Sequence, residues 1–273
     1  MWNGTYGFFD WKYNIAGYSG QDYDGIGRYV YLIASVVLLL VFSILFRKAK
    51  KESVRRYLKV ISIFLPLLYV AKTAWESYFD ITVGAEHAFN VGLLPFDTCS
   101  IIMLAAPLAA FGKGKVERLG LAWLATGGIV GGISNLLFLQ ALHYYPFWTF
   151  GAFYSMIWHF LMVFTGVWLF VTNCVEANFK TVVDGFILHM AYSVVAIPVA
   201  YLTGMDFMLY LNAGGAPLIE NLGSFFRQRG LMIFTTIIMI GVYFLTFVFV
   251  TYVAKGLKLL FSLAKRKPKE NAQ

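Results

Sequence analysis

The chain has 273 residues, of which 59% are hydrophobic, 18% aromatic and only 13% charged. A soluble domain carries about 25% charged residues, so this composition excludes a single water-soluble globule, and the aromatic content excludes a disordered chain. The formal net charge is +8. The positions of the basic residues indicate whether that charge is used to bind nucleic acid or to orient the chain in a membrane.

Seven apolar stretches predict membrane-spanning helices, because each is long enough to cross a hydrocarbon core of about 30 Å. They are apolar throughout, whereas a membrane barrel would need alternating strands of roughly 10 residues. In chain order the spans cover 29–46, 60–79, 94–111, 120–139, 151–173, 182–202 and 231–253. The sequence therefore predicts an all-α, polytopic integral membrane protein with seven transmembrane helices.

Most lysines and arginines lie in the segments that follow spans 1, 3, 5 and 7. By the positive-inside rule, this distribution predicts an N-terminus outside and a cytoplasmic C-terminus in the cell membrane. The net charge is thus a topology signal that can also serve anionic lipid headgroups, and no nucleic-acid binding is expected. The predicted divisions are an extracellular aromatic-rich segment (1–28), a transmembrane domain (29–254) and a basic cytoplasmic tail (255–273).

Two outer segments carry further expectations. Aromatic side chains prefer the headgroup level, so the N-terminal segment should lie on the outer surface. The loop 203–230 is long for a plain connector, which favours a short interfacial helix or a lid.

Four spans place polar residues in one layer near their outer ends. Cys99 and His159 each follow soon after the outer start of their span, and Asn135 reaches the same depth from span 4. Lys72 and Glu76 are four residues apart and share one helix face. Because ionisable groups are costly within a bilayer, each is a candidate for function.

Structural interpretations stand beside the functional ones. Cys99 fits the structural role of a small buried side chain, but its position near a helix N-terminus favours a thiolate. His159 fits either the base for that thiol or a structural histidine in the core. Lys72 and Glu76 fit a structural ion pair, a headgroup contact or a proton relay. Asp97 lies across the helix from Cys99 and should favour the helix N-terminus electrostatically, and it joins the candidates for substrate binding.

Other notable residues have simpler interpretations. Cys174 lies near the inner end of span 5, too far in depth from Cys99 for a disulfide, and His189 lies outside the polar layer. Glycines in 127–132 predict close helix packing or room for an acyl chain. No zinc or phosphate-loop pattern is present, so no metal or cofactor is expected.

Four stretches resemble motifs of one family in the same order. They are residues 94–101 (LPFDTCSI), 154–159 (YSMIWH), 201–211 (YLTGMDFMLYL) and 216–218 (APL). The pattern resembles the YwaF family of bacterial membrane proteins, which is related to the eukaryotic transmembrane protein 164 acyltransferases, over about residues 60–260. The resemblance implies a seven-span fold with Cys99 as the acyl-accepting nucleophile and His159 as its partner. One departure is Asp97, where the bacterial motif often has His or Gln.

Two main functions follow. In a lipid acyltransferase or acyl hydrolase, Cys99 attacks an ester carbonyl, His159 acts as general base and then acid, and Asn135 or Lys72 stabilises the oxyanion. In a transporter or a protein that binds a lipid or small ligand, Lys72 and Glu76 contact a headgroup or proton without covalent catalysis. Both functions make membrane lipids the expected partners. A structural subunit of a larger complex is a third option, and nothing in the sequence reports the oligomeric state.

Overall fold

A computed structural model of the chain describes residues 7–11, 25–82, 91–138, 142, 145–214 and 219–264. Within these residues the protein is entirely helical apart from turns and irregular segments, with no strand. Seven helical segments are long and apolar enough to cross a membrane. The predicted all-α architecture with seven spans is therefore confirmed.

The helices are numbered here in chain order. They are α1 (Ile26–Leu45), α2 (Lys51–Thr82), α3 (Ile102–Phe111), α4 (Lys115–Ala125), α5 (Gly127–Phe138), α6 (Phe150–Val171), α7 (Phe179–Thr203), α8 (Glu220–Gln228) and α9 (Met232–Ala264), with short 3₁₀ turns at Val91–Leu93, Thr98–Ile101 and Phe207–Leu209. The end of the bundle with the α1–α2, α3–α4 and α6–α7 turns is called the basic end. The other end is called the opposite end.

The third span is a regular helix over only half of its length. Helix α3 begins at Ile102, whereas the hydropathy pattern predicts a helix from residue 94. Pro95 has no N–H group to donate, and its ring disfavours helical backbone at Leu94. The preceding residues 91–101, called here the Cys99 segment, therefore form 3₁₀ turns and irregular backbone.

The fourth span is interrupted at Thr126, between α4 and α5. The Thr126 hydroxyl donates to the Ala122 carbonyl oxygen at 2.8 Å, a bond of the kind that bends helices. Two glycines follow directly, and glycine is a poor helix former. This span thus consists of two short helices rather than the predicted single helix.

Two spans extend beyond their predicted limits at the basic end. Helix α2 already begins at Lys51, and α9 continues to Ala264. The added residues are mainly lysine, arginine and leucine, which are all good helix formers. Much of the basic sequence predicted as loop or tail is therefore helical.

Helix α6 is the central helix of the bundle. In its apolar span 67% of residues are buried, compared with 11% in α1. Helix α5 packs closely on α6 because glycines face the contact. A Cβ atom at Gly166 would lie 2.4 Å from Ile129 Cγ1 and 2.7 Å from the Leu124 carbonyl oxygen. The packing interpretation of the glycine-rich span therefore agrees with the contacts, whereas α1 lies at the lipid-facing edge.

The described N-terminal residues 7–11 pack across the opposite end. The backbone N–H of Phe150 donates to the Phe8 carbonyl oxygen at 2.6 Å. The indole N–H of Trp75 donates to the Phe9 carbonyl oxygen at 2.9 Å, and Trp11 is buried. This part of the aromatic segment lies against α2 and α6, as expected of a segment held on the bundle.

We expect Gly166→Ala to destabilise the protein by about 1–3 kcal/mol, because the added methyl group overpacks the α5–α6 contact. The measurement is thermal unfolding of the purified protein in detergent. Gly241→Ala is the matched control, because Gly241 is also within a helix but a Cβ atom there meets open space. Equal unfolding temperatures for the two variants would contradict this account of the packing.

Candidate functional site

The Cys99 segment is held by side chains from three helices. Three aromatic residues donate hydrogen bonds to its backbone carbonyl oxygens: Tyr69 of α2 to Leu93, Tyr192 of α7 to Pro95 and, at 3.2 Å, Trp158 of α6 to Cys99. Irregular backbone persists at membrane depth only where protein or cavity water satisfies its polar groups. These donors therefore allow a non-helical segment to lie inside the bundle.

Cys99 is half-buried in the 3₁₀ turn Thr98–Ile101, directly ahead of α3. The Asp97 carboxylate and the Lys72 ammonium both act on its thiol electrostatically. Asp97 itself is exposed and makes no side-chain cap to the turn that follows it. Cys99, Lys72, Glu76 and Asp97 are called the thiol cluster below.

Lys72 and Glu76 form an ion pair on α2, with side chains only 14% and 3% exposed. The Tyr145 hydroxyl donates to the second oxygen of Glu76, and the Lys72 ammonium lies 5.8 Å from the centroid of the Tyr154 ring. The i,i+4 pair expected from the sequence is thus present. Glu76 Oε2 makes this ion pair and has no hydrogen-bond partner among the described residues.

One further carboxylate lies on this face of α2. Asp80 is buried, and its Oδ2 has no hydrogen-bond partner within the described ranges. Asp80 is absent from the predicted site residues because it lies one residue beyond the predicted end of span 2. Its spacing of four residues from Glu76 is the signal that identifies it.

His159 is buried on α6, and its ring orientation is fixed from within the helix. Its Nδ1 lies 2.7 Å from the Ser155 carbonyl oxygen. A carbonyl oxygen can only accept, so Nδ1 carries the proton in the neutral ring and Nε2 is the basic nitrogen. The Ser155 hydroxyl lies 3.3 Å from Nδ1 and 3.4 Å from Asn135 Oδ1. Asn135, Ser155 and His159 are called the imidazole cluster.

The two clusters meet through Trp158. Its indole N–H bonds the Cys99 carbonyl oxygen, and the next residue along α6 is His159. No hydrogen bond joins the Cys99 thiol to the His159 imidazole in the part of the chain that the structure describes. The structure thus brings the six predicted site residues into two clusters, linked by the backbone of α6.

A second buried network, absent from the sequence analysis, adjoins the thiol cluster. The Thr98 hydroxyl is 2.8 Å from the Tyr243 hydroxyl. The ring centroids of Tyr243 and His189 are 4.4 Å apart, and His189 Nε2 lies 3.4 Å from the Tyr210 hydroxyl. His189, which was expected outside the polar layer, is therefore connected through Tyr243 to Thr98, the residue before Cys99. No periodic pattern reveals this, because the partners come from distant parts of the chain.

Tyr210 reaches this network because its loop folds into the bundle. The carboxylate of Asp206 accepts hydrogen bonds from the backbone N–H groups of Leu211, Asn212 and Gly214 at 2.8–3.0 Å. These bonds accompany positive φ angles at Met208, Leu209 and Ala213. Burial raises the pKa of Tyr210 to about 12, so its hydroxyl stays protonated at neutral pH. The short helix expected within the loop 203–230 is present as α8.

The remaining predictions concern cysteines and metals. Cys99 and Cys174 are both free thiols. The Thr172 hydroxyl donates to the Cys174 sulfur at 3.3 Å near the basic end. Among the described residues, no group of three or more His, Cys, Asp or Glu is arranged to hold a metal ion.

These features define a multi-pass helical membrane protein with a free thiol among the buried polar groups of its bundle. Residues 23–247 match the model of the TMEM164 family, which covers most of the chain. The protein belongs to the TMEM164 family. Comparison with curated proteins and comparison with solved structures give no significant match.

We expect Tyr192→Phe to destabilise the protein by about 1–3 kcal/mol, because it leaves the Pro95 carbonyl oxygen without its donor. It should also speed the reaction of Cys99 with a maleimide, measured by mass spectrometry. Tyr252→Phe removes the same hydroxyl from an exposed tyrosine on α9 and should change neither quantity. If Cys99 reacts at the same rate in both variants, the aromatic donors do not hold the segment.

Proposed function

We propose that the protein is a lipid acyltransferase or acyl hydrolase of the cell membrane, belonging to the YwaF branch of its family, with Cys99 as the acyl-accepting nucleophile and His159 as its base. The supporting observation is the bond from Trp158 to the Cys99 carbonyl oxygen, because it fixes the thiol-bearing turn against the residue next to His159. The charge distribution supports an N-terminus outside, with the polar layer in the outer half of the bilayer.

The proposed reaction has two steps. His159 Nε2 takes the thiol proton while the Cys99 sulfur attacks the ester carbonyl carbon of a lipid. The tetrahedral intermediate then loses its alkoxide, which takes the proton back from His159, and a thioester remains on Cys99. His159 Nε2 then takes the proton of a lipid hydroxyl or water as its oxygen attacks the thioester; the C–S bond breaks, the acyl group leaves as a new ester or a free acid, and the thiolate recovers the proton from His159.

The tautomer of His159 suits this role. Since the Ser155 carbonyl oxygen holds the Nδ1 proton, Nε2 is ready to accept one. Nucleophile and base must approach to about 3 Å in the substrate complex, and such bonds are often longer without substrate. The Lys72 ammonium is the group of the thiol cluster suited to stabilise the oxyanion. Asn135 is the corresponding candidate in the imidazole cluster.

The test uses purified protein in phospholipid nanodiscs, with intact-mass analysis and peptide mapping of the trapped thioester. We expect an acyl adduct on Cys99 that hydroxylamine removes. His159→Gln should slow its formation by about 10²–10⁴-fold, the usual contribution of a general base. Cys99→Ala should abolish it while leaving the unfolding temperature unchanged.

Cys174→Ala is the matched control, because it removes the other free thiol at the basic end. This variant should form the adduct at the wild-type rate. An adduct on Cys174, or an adduct whose rate does not depend on His159, contradicts the assignment.

A second candidate is a transporter or lipid-binding protein without covalent catalysis. The observation that favours it is the Lys72–Glu76 ion pair inside the bundle, where Glu76 Oε2 has no hydrogen-bond partner among the described residues. In that case Lys72 and Glu76 recognise a headgroup.

This candidate predicts that Cys99→Ser retains binding of a fluorescent phospholipid while Lys72→Gln loses at least tenfold in affinity, because the headgroup loses its cation. Fluorescence titration in nanodiscs measures both. The unfolding temperature of Lys72→Gln separates lost binding from lost folding. Wild-type affinity in a folded Lys72→Gln protein would exclude this role.

A further inference from the structure

A cavity of about 760 Å³ lies at the basic end, away from the Cys99 segment. It is bordered by α1, the α1–α2 turn, the start of α2 and the part of α6 nearest the basic end, and it is open on one side. Its lining residues are Phe42, Leu45, Phe46, Lys48, Ala49, Ser53, Tyr57, Phe160, Leu161, Phe164 and Trp168. Its size falls within the roughly 300–1,000 Å³ of pockets that bind small molecules and cofactors.

The polar groups deep in the cavity wall are already paired within the protein. The Tyr57 hydroxyl lies 2.8 Å from the Thr165 hydroxyl. The Trp168 indole N–H donates to the Phe46 carbonyl oxygen at 2.9 Å. Apart from Lys48 and Ser53, the remaining lining residues are aliphatic or aromatic, with Phe160 and Phe164 stacked parallel. The interior therefore suits a hydrocarbon chain, because a polar solute would lose its water without gaining partners.

The mouth of the cavity carries the opposite character. Lys48 lines it and is exposed, and the neighbouring Arg47, Lys50 and Lys51 are exposed as well. Glu52 is the one acidic residue in this stretch of sequence. A cationic mouth above an apolar interior is complementary to an anionic headgroup attached to an acyl chain, and basic pockets between membrane helices bind such lipids.

The position of α1 leaves this cavity open to lipid. Only 11% of the α1 span is buried, and Leu45 and Phe46 at the cavity edge are exposed. A chain could therefore enter sideways from the bilayer without unfolding a helix. Because the thiol and imidazole clusters do not line it, this site is separate from the proposed acyl chemistry and stands without it.

We propose that this cavity is a binding site for one anionic phospholipid from the leaflet at the basic end. One acyl chain fills the space between α1 and α6, and the lipid phosphate pairs with Lys48. The lipid fills the gap between α1 and the central helix of the bundle.

The test uses the full chain in phosphatidylcholine nanodiscs, with a trace of phosphatidylglycerol that carries a diazirine in one acyl chain. After photolysis, peptide mapping should find lipid adducts on α1 and α6 residues of the cavity. A phosphatidylcholine probe with the same diazirine should label these residues about fivefold less, because the headgroup attraction of a basic residue is absent. Equal labelling by the two probes overturns the proposal.

Two variants distinguish the contribution of the lipid headgroup to binding from that of the acyl chain. Lys48→Gln should reduce phosphatidylglycerol labelling about fivefold, and Lys113→Gln is its control, since Lys113 is exposed in the α3–α4 turn at the same end. Leu161→Trp should fill the cavity and abolish labelling there, with Leu257→Trp on the exposed face of α9 as its control.

The unfolding temperature of each variant shows that the protein remains folded. Unchanged labelling in Leu161→Trp shows that the chain lies on the outer surface instead, and overturns the proposal. A cross-link between the Lys48 side chains of two copies, formed with a bifunctional amine reagent, shows that a second copy covers the cavity and likewise overturns the proposal.

Discussion

Backbone polar groups inside a bilayer need partners from the protein, and this requirement governs the structure around Cys99. Half of the third span is not an α-helix, so its carbonyl oxygens depend in part on donors from outside the segment. Tyr69, Trp158 and Tyr192 supply them from three different helices. The positions of α2, α6 and α7 are therefore tied to one short segment, and a thiol can stand in irregular backbone within the membrane.

The same requirement connects the loop between α7 and α8 to this segment. The Tyr243 hydroxyl bonds the Met208 carbonyl oxygen of the loop at 3.0 Å and the Thr98 hydroxyl of the Cys99 segment. Asp206 satisfies three further N–H groups of the loop. Two irregular segments thus share one tyrosine, so loop and thiol cluster form a continuous polar region inside an otherwise apolar bundle.

The residues of the proposed acyl chemistry lie toward one end of the bundle, and the proposed lipid cavity lies toward the other. Near the Cys99 segment, the Lys72–Glu76 pair and the fixed His159 tautomer give a layer suited to reactions of an ester group. At the basic end, the cavity beside Lys48 has its deep polar groups already paired and suits an acyl chain. Helix α6 lines both regions and is the most buried of the spans.

Features that depend on neighbouring residues could be predicted from the sequence alone. Span length and hydropathy predicted seven helices, and the four-residue spacing predicted the Lys72–Glu76 pair. The candidate residues Cys99 and His159 followed from depth along their spans and from the family resemblance, whereas their catalytic roles stay predictions. Three features became visible in the folded chain. The third span begins as irregular backbone, and Trp158 links the two clusters. His189 contacts Tyr210 and Tyr243. These contacts join residues far apart in the chain, and no local period encodes which donor reaches which carbonyl oxygen.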